Sequence, residues 1–167
     1  MNQPFKYGTV LYRASRDGFT AKAFHDRCDN VPNTVTIIRN SLNFIFGGFT
    51  SARWSSAFGY ITDPNAFIFS LRRSGTSNNY KLMIKSSTGT YAIYGGSTYG
   101  PTFGNGGSTG GYDIYMRDLS NTVTGSYSAI ATYTAPTYPS GSTYTTFLTG
   151  GNKNWLTTEI EVYQIFK

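Results

Sequence analysis

Cysteine is nearly absent from this chain, and the single one, Cys28, excludes an intramolecular disulfide framework. Histidine is equally scarce, with His25 alone, so one His and one Cys cannot build a usual zinc site. Charge is low as well: 13% of residues are Asp, Glu, Lys or Arg, about half the usual quarter. No apolar run approaches the roughly 20 residues of a membrane-spanning helix, so no membrane insertion is expected. The opening residues, Met1 to Lys6, lack the apolar core of a signal peptide, and no Asn-x-Ser/Thr sequon occurs. The net charge of +6 is scattered, with no cluster larger than Arg72-Arg73. Nucleic-acid binders gather their positive charge on one face, so no nucleic-acid partner is expected.

Aromatic residues and small polar residues fill the gap. Aromatics reach 17%, with 14 tyrosines, and there are 19 glycines. Hydroxyls and amides make the chain polar in place of Lys and Glu. A Tyr/Ser/Gly/Asn mixture is what paratopes use for adaptable binding, and it suits hydroxyl-rich ligands. At 167 residues the chain reads as one domain, 1–167, large enough to bury a core without staples.

Along the chain, Val10 and Tyr12 alternate with Thr9 and Arg13 as a half-buried strand, and Asp17-Gly18 marks a turn. Thr20 is placed to cap a short helix with Phe24 and Cys28 on one apolar line, ending at Asp29-Asn30 before Val31-Pro32. Strands are predicted over 34–39, 42–46, 66–71, 80–85, 90–94, 112–117 and 159–166. Turns are expected at Asn40-Ser41, 74–79 and 87–89. Gly47-Gly48 predicts a bulge or a close backbone approach. Residues 51–60 read as a loop around Trp54, itself expected in the core. A glycine-dense stretch fills 95–111, a Ser/Thr/Tyr-rich segment with Pro136 and Pro139 fills 118–146, and 150–155 reads as a loop exposing Trp155 beside two amides. The expected fold is mainly β: a two-sheet antiparallel β-sandwich with one or two short helices.

Several stretches carry a resemblance to the TLDc domain family. They are Tyr12-Arg13-Ala14-Ser15-Arg16-Asp17-Gly18-Phe19 followed by a short helix ending in Cys28-Asp29, then Phe44 to Thr50, Asp63 to Leu71, Tyr99 to Gly104, Asp113 to Tyr115 and Glu159 to Tyr163. The match covers roughly residues 9–166, with extra residues between Gly104 and Asp113 (an enlarged Gly-rich loop at 104–112). The resemblance implies a TLDc-like sandwich. It also implies a role in oxidative-stress resistance and, in several members, binding to the vacuolar proton pump.

The search for catalytic groups is nearly empty, and the chain is expected not to be an enzyme. His25 and Cys28 at i and i+3 could meet as a nucleophile pair, against a structural cysteine packed under the helix. Gly106-x-Ser108-x-Gly110 lacks the strand-to-helix setting of a nucleophile elbow, and no Gly-Lys-Ser/Thr closes the loop as in a P-loop. Glu159 and Glu161 share one strand face. They could hold a calcium ion with added carbonyls, or simply pair with Arg13 or Arg16.

Two functions follow. The first is a non-catalytic lectin on a TLDc-like scaffold, binding glycans or glycoproteins, secreted as a mature chain and forming a homodimer. Sugar sites need an aromatic face and a few fixed polar groups, and the candidate ligand-binding residues are Asn152, Asn154, Trp155, Asn105, Tyr112, Asp113 and Tyr99. No cofactor is required for this; calcium is the one that Glu159 and Glu161 could add. The alternative is the cytoplasmic role that the TLDc resemblance implies.

Overall fold

The computed structural model describes residues 8–105, 111–138, 141–151 and 153–166. Strand β1 (Gly8–Arg13) leads into the one-turn helix α1 (Ala14–Asp17) and then α2 (Ala21–Cys28). The short turn α1, where a bare Asp17-Gly18 turn was expected, forms because Gly18 at φ +101° donates its N–H to Ala14 and closes it. Thr20 caps α2 as expected, accepting the Ala23 N–H at 3.1 Å. Phe24 and Cys28 then drop into the core beside Tyr12, with the Tyr12 and Phe24 rings 5.9 Å apart.

The first layer is a six-stranded antiparallel sheet in the order β1-β8-β2-β3-β5-β6. Its remaining strands are β2 (Thr34–Asn40), β3 (Ile45–Thr50), β5 (Phe67–Arg73), β6 (Thr76–Met83) and β8 (Thr157–Ile165). Alternation sorts each strand. Thr34, Thr36, Ile38, Phe46, Ile68, Ile160 and Val162 face inward, and Val35, Ile37, Phe67 and Tyr163 face the other way. The turn between β5 and β6 is only Ser74-Gly75, both at positive φ (47° and 84°), the geometry of a type I′ hairpin. Residues 76–79, expected within that turn, therefore belong to β6.

Strand β3 runs on through the glycines to Thr50. At Gly48 a Cβ would lie 2.6 Å from the Phe103 ring, so the missing side chain lets Phe103 lie against the sheet. This is the expected close approach.

The second layer is less regular. It holds β4 (Gly59–Ile61) paired with β7 (Ile93–Gly95), a 3₁₀ helix at Ser86–Tyr91, and isolated bridges that join 99–103, 114–117 and Tyr127. Two expectations are corrected here. The strand expected from Thr90 begins only at Ile93. Before it, the Thr88 hydroxyl binds the Lys85 and Thr132 carbonyls, the local side-chain bonding that competes with a sheet ladder. The strand expected over 112–117 is a series of isolated bridges, since Ile114, Tyr115 and Arg117 pair with three different partners, Phe103, Tyr127 and Tyr99.

Between the layers lie Ile38, Phe46, Ile68 and Leu82 against Ile93, Phe103, Ile114, Met116 and Phe147. Trp54 is in this core as expected. Its ring meets Phe24 and Phe103 edge-on at 5.2 and 5.4 Å, and its indole N–H donates to Thr34 at 2.9 Å. The architecture is mainly β and antiparallel, consistent with the expected sandwich. Among the described residues no helix is long and apolar enough to cross a membrane.

The loop from β1 to α2 is held by Asp17. Its carboxylate accepts the Arg13 backbone N–H at 3.0 Å and both Arg16 donors at 2.9 and 2.8 Å, and lies 3.1 Å from Arg27. The hydrogen bond from Arg16 is the largest influence and lowers its pKa to about 2. A carboxyl whose folded pKa lies below its unfolded value adds stability above pH ~4 and loses it as the pH falls toward 2. Thermal melts of the wild type and Asp17→Asn should therefore differ most at pH 5–6 and converge by about pH 2. A gap that stays constant over this range would contradict the role given to Asp17.

Candidate functional site

The outward face of the second layer is a terrace of phenols. Strand pairing sets it up: Tyr60 on β4 lies across from Tyr94 on β7, and Tyr115 bridges to Tyr127. Alternation does the rest, since Ile93, Ile114 and Met116 point into the core and Tyr94 and Tyr115 point out. Ring centroids are 5.0 Å apart for Tyr60–Tyr91 and Tyr60–Tyr94, 5.2 Å for Tyr94–Tyr99, Tyr94–Tyr112 and Tyr115–Tyr127, and 5.3 Å for Tyr99–Tyr115. Most pairs meet edge to face or tilted, the arrangement that the ring quadrupole favours. Tyr60 and Tyr91 are about 40% exposed, Phe58 at the rim is 64% exposed, and the others are half-buried.

Helix α2 fixes one end of the terrace. His25 places Nε2 at 2.9 Å from the Gly96 carbonyl and 3.0 Å from that of Tyr99, while Nδ1 lies 2.7 Å from Asp29. His25 therefore anchors the segment that carries Tyr99 and is not paired with Cys28. Cys28 is fully buried, and burial, followed by the neighbouring Asp29, pushes its thiol far above the usual range. It is a core residue packed under α2.

Burial also raises the phenols of Tyr60, Tyr112, Tyr115 and Tyr127 above the usual tyrosine value. They stay protonated at neutral pH and present hydroxyls that both donate and accept. The terrace thus offers flat apolar faces bordered by neutral hydroxyls. Arg117 lies at one side, donating to the Thr124 carbonyl at 2.8 Å, and the Lys153 ammonium sits 4.7 Å above the Tyr127 ring.

Of the residues expected to bind ligand, Tyr99 and Tyr112 are brought together, their rings 5.8 Å apart. Asn105 is half-buried, next to the start of the Gly-rich loop, and its backbone N–H donates to the Thr132 hydroxyl at 2.7 Å. Asn154 is exposed in the 150–155 loop, and it is Lys153 of that loop that reaches the terrace. Asn152 lies outside the described residues, as do Gly106 to Gly110 with the Gly-x-Ser-x-Gly pattern.

Two of these expectations are corrected. Trp155 is 1% exposed and packs edge-on against Phe46 at 5.9 Å, because the chain turns inward there to begin β8. Asp113 is fully buried. Its Oδ1 accepts three consecutive backbone N–H groups, Ala131 at 2.7 Å, Thr132 at 2.9 Å and Tyr133 at 3.1 Å. Burial is the largest influence on its carboxyl and raises the pKa, with those N–H donors pulling the other way. Asp113 is thus a clamp beneath the terrace, closed to ligand.

Glu159 and Glu161 do share the outer face of β8. Glu159 accepts the N–H groups of Ser15 and Ile160, both at 3.0 Å. Glu161 pairs with Arg13 at 2.8 Å and accepts the Tyr163 hydroxyl at 2.7 Å. The pairing with Arg13 was one of the two expectations for these carboxylates. Among the described residues no three His, Cys, Asp or Glu side chains gather as a metal centre.

Sequence reasoning missed Tyr60, Tyr91, Tyr94, Tyr115 and Tyr127. The available signal was the Ile93-Tyr94 and Ile114-Tyr115 alternation, which puts each tyrosine opposite a core residue. That these segments lie side by side was not visible.

No curated protein matches this chain in sequence. The family model of the TLDc domain matches residues 4–166, nearly the whole length, in line with the ordered motifs from Tyr12 to Tyr163. The chain is a member of the TLDc domain family.

Proposed function

We propose that this TLDc chain is a non-catalytic carbohydrate-binding protein whose site is the tyrosine terrace. The observation that carries the reading is the packing of seven phenol rings, Tyr60, Tyr91, Tyr94, Tyr99, Tyr112, Tyr115 and Tyr127, on one solvent-facing surface. A sugar ring has an apolar face and a rim of hydroxyls. It is matched by aromatic faces that carry hydroxyls at their own edges. Tyr99 and Tyr112 lie at the centre, with Tyr60 and Tyr94 as a second platform. A mutually packed array loses little side-chain entropy on binding, which favours even small ligands.

The runner-up is an intracellular protein-binding role in oxidative-stress resistance through the vacuolar proton pump. Family membership favours it, while none of the described side-chain arrangements is specific to it. One pull-down from eukaryotic lysate and membrane extract separates the two. Release of bound glycoproteins by a single free monosaccharide supports the lectin. Retention of proton-pump subunits through every sugar wash sinks it. With the eluting sugar in hand, Tyr112→Ala should weaken binding by about tenfold or more, about 1.4 kcal/mol, with the melting curve as a check on folding. Unchanged sugar affinity in both Tyr112→Ala and Tyr99→Ala would remove the terrace from the site.

A further inference from the structure

The outer face of the six-stranded sheet carries a row of apolar side chains in register across all its strands. The pairings Val10–Tyr163, Tyr163–Val35, Val35–Phe49, Phe49–Phe67 and Phe67–Met83 run edge to edge. The next outward row includes Ile37 and Phe69, and Leu71 lies beyond. Leu71 and Met83 are exposed, Val35, Ile37, Phe67 and Tyr163 are half-buried, and Phe49 and Phe69 are 7% and 8% exposed, with the Phe49 and Phe67 rings stacked at 5.2 Å. A sheet exposed to water on one side ordinarily alternates apolar-in and polar-out; this one carries a full apolar row on its outer face, beside a mixed row of Arg13, Glu161, Ile37, Phe69 and Lys81, and contiguous apolar patches mark interfaces.

We propose that this face is the interface of a homodimer, two copies stacked sheet on sheet about a two-fold axis that runs along the strands between β2 and β3. The register selects that axis. It places Val10 opposite the partner's Met83, Tyr163 opposite the partner's Phe67 and Val35 opposite the partner's Phe49, each contact made twice. In the row Glu159–Arg39–Ile45–Arg72, it sets Glu159 opposite the partner's Arg72, so opposite charges meet at both ends. The same axis sets Arg13 opposite the partner's Lys81, Glu161 opposite the partner's Phe69 and Arg39 opposite the partner's Ile45; Arg13 and Glu161 are paired within the chain at 2.8 Å, and the Lys81 ammonium lies 4.0 Å from the Phe67 ring of its own chain.

The size is adequate. Six strands span about 29 Å and the three rows about 20 Å, a flat footprint on the order of 600 Å². Corrugated side chains present more area than their footprint, close to the roughly 800 Å² per partner of a standard specific interface. Sheets stacked in this way align within about 30°. Both tyrosine terraces remain free, so the proposal stands independently of the sugar reading.

Sedimentation equilibrium or light scattering on the purified chain tests it. The wild type should be dimeric at micromolar concentration, and a monomer up to about 100 µM, a free energy near 5.5 kcal/mol, would overturn the proposal. Val35→Glu places a carboxylate beside the axis against the partner's Phe49 and should weaken association at least 100-fold; should it fail to fold, exposed Met83→Glu reads the same face. Arg72→Glu should weaken association, and mixing it with Glu159→Lys should restore a heterodimer. A dimer indifferent to the face variants would place the contact elsewhere and refute the assignment.

Discussion

Gly47→Ala is expected to destabilise the chain by about 3 kcal/mol or more. A Cβ at Gly47 would sit 1.9 Å from the Thr36 carbonyl oxygen and 3.0 Å from the Phe69 ring. The first obstacle is backbone in the neighbouring strand β2, which cannot rotate away as a side-chain tip can. The strands would have to part where Ile37 pairs with Gly47 in the middle of the sheet, with loss of ladder hydrogen bonds on both sides of β3. Gly48→Ala meets the Phe103 ring, which is fully buried, and should cost about 1–3 kcal/mol as an overpacked core position. Gly89→Ala is the control. Nothing lies within 4 Å of its Cβ, and the change should be close to neutral. Urea unfolding of the three variants gives the ranking, and a Gly47→Ala protein as stable as Gly89→Ala would contradict the register of β2 on β3.

The second large effect is expected at Asp113. Asp113→Ala leaves three N–H groups of 131–133 without their acceptor in a dry setting, at about 1–3 kcal/mol for each unsatisfied donor. Some relaxation is available, so a total of about 3–5 kcal/mol is expected. Asp113→Asn should cost less than half as much. Its amide oxygen can take the place of Oδ1, and it removes a carboxyl whose ionisation burial opposes. Since the clamp ties 131–133 to the segment carrying Tyr112 and Tyr115, amide exchange should speed up in both segments of Asp113→Ala before any global loss of structure. An Asp113→Ala protein within 1 kcal/mol of wild type would show that water or another donor set replaces the clamp.

These two residues illustrate how differently parts of the chain could be read. Gly47-Gly48 announced a bulge or a close approach, the two uses of glycine inside an apolar run, and the close approach is the one that forms. Asp113 invited a functional reading. A carboxylate next to Tyr112 in a glycine-rich region resembles a ligand contact, and only the return of residues 131–133 over it shows that its acceptors are used up inside the protein. Trp155 misled for the same reason: a loop sequence exposes its backbone, yet its ring fills the space beside Phe46. Tyr99 and Tyr112 were legible as candidates from composition and neighbourhood, and their five companions were not.

By itself the sequence determined the short-range features: the Thr20 cap, the Phe24–Cys28 line, the alternation of β2 and β8, and the TLDc motifs in order. Each depends on residues within about one helical turn or one strand, where spacing and chirality leave few alternatives. The tertiary structure alone decided which tyrosines share a surface, that Asp113 and Trp155 turn inward, and that one outward row of the sheet is apolar from edge to edge. Those properties arise from pairings between residues far apart in the chain, such as β1 with β8 and Tyr115 with Tyr127. A one-residue shift in any of these registers would present the opposite face.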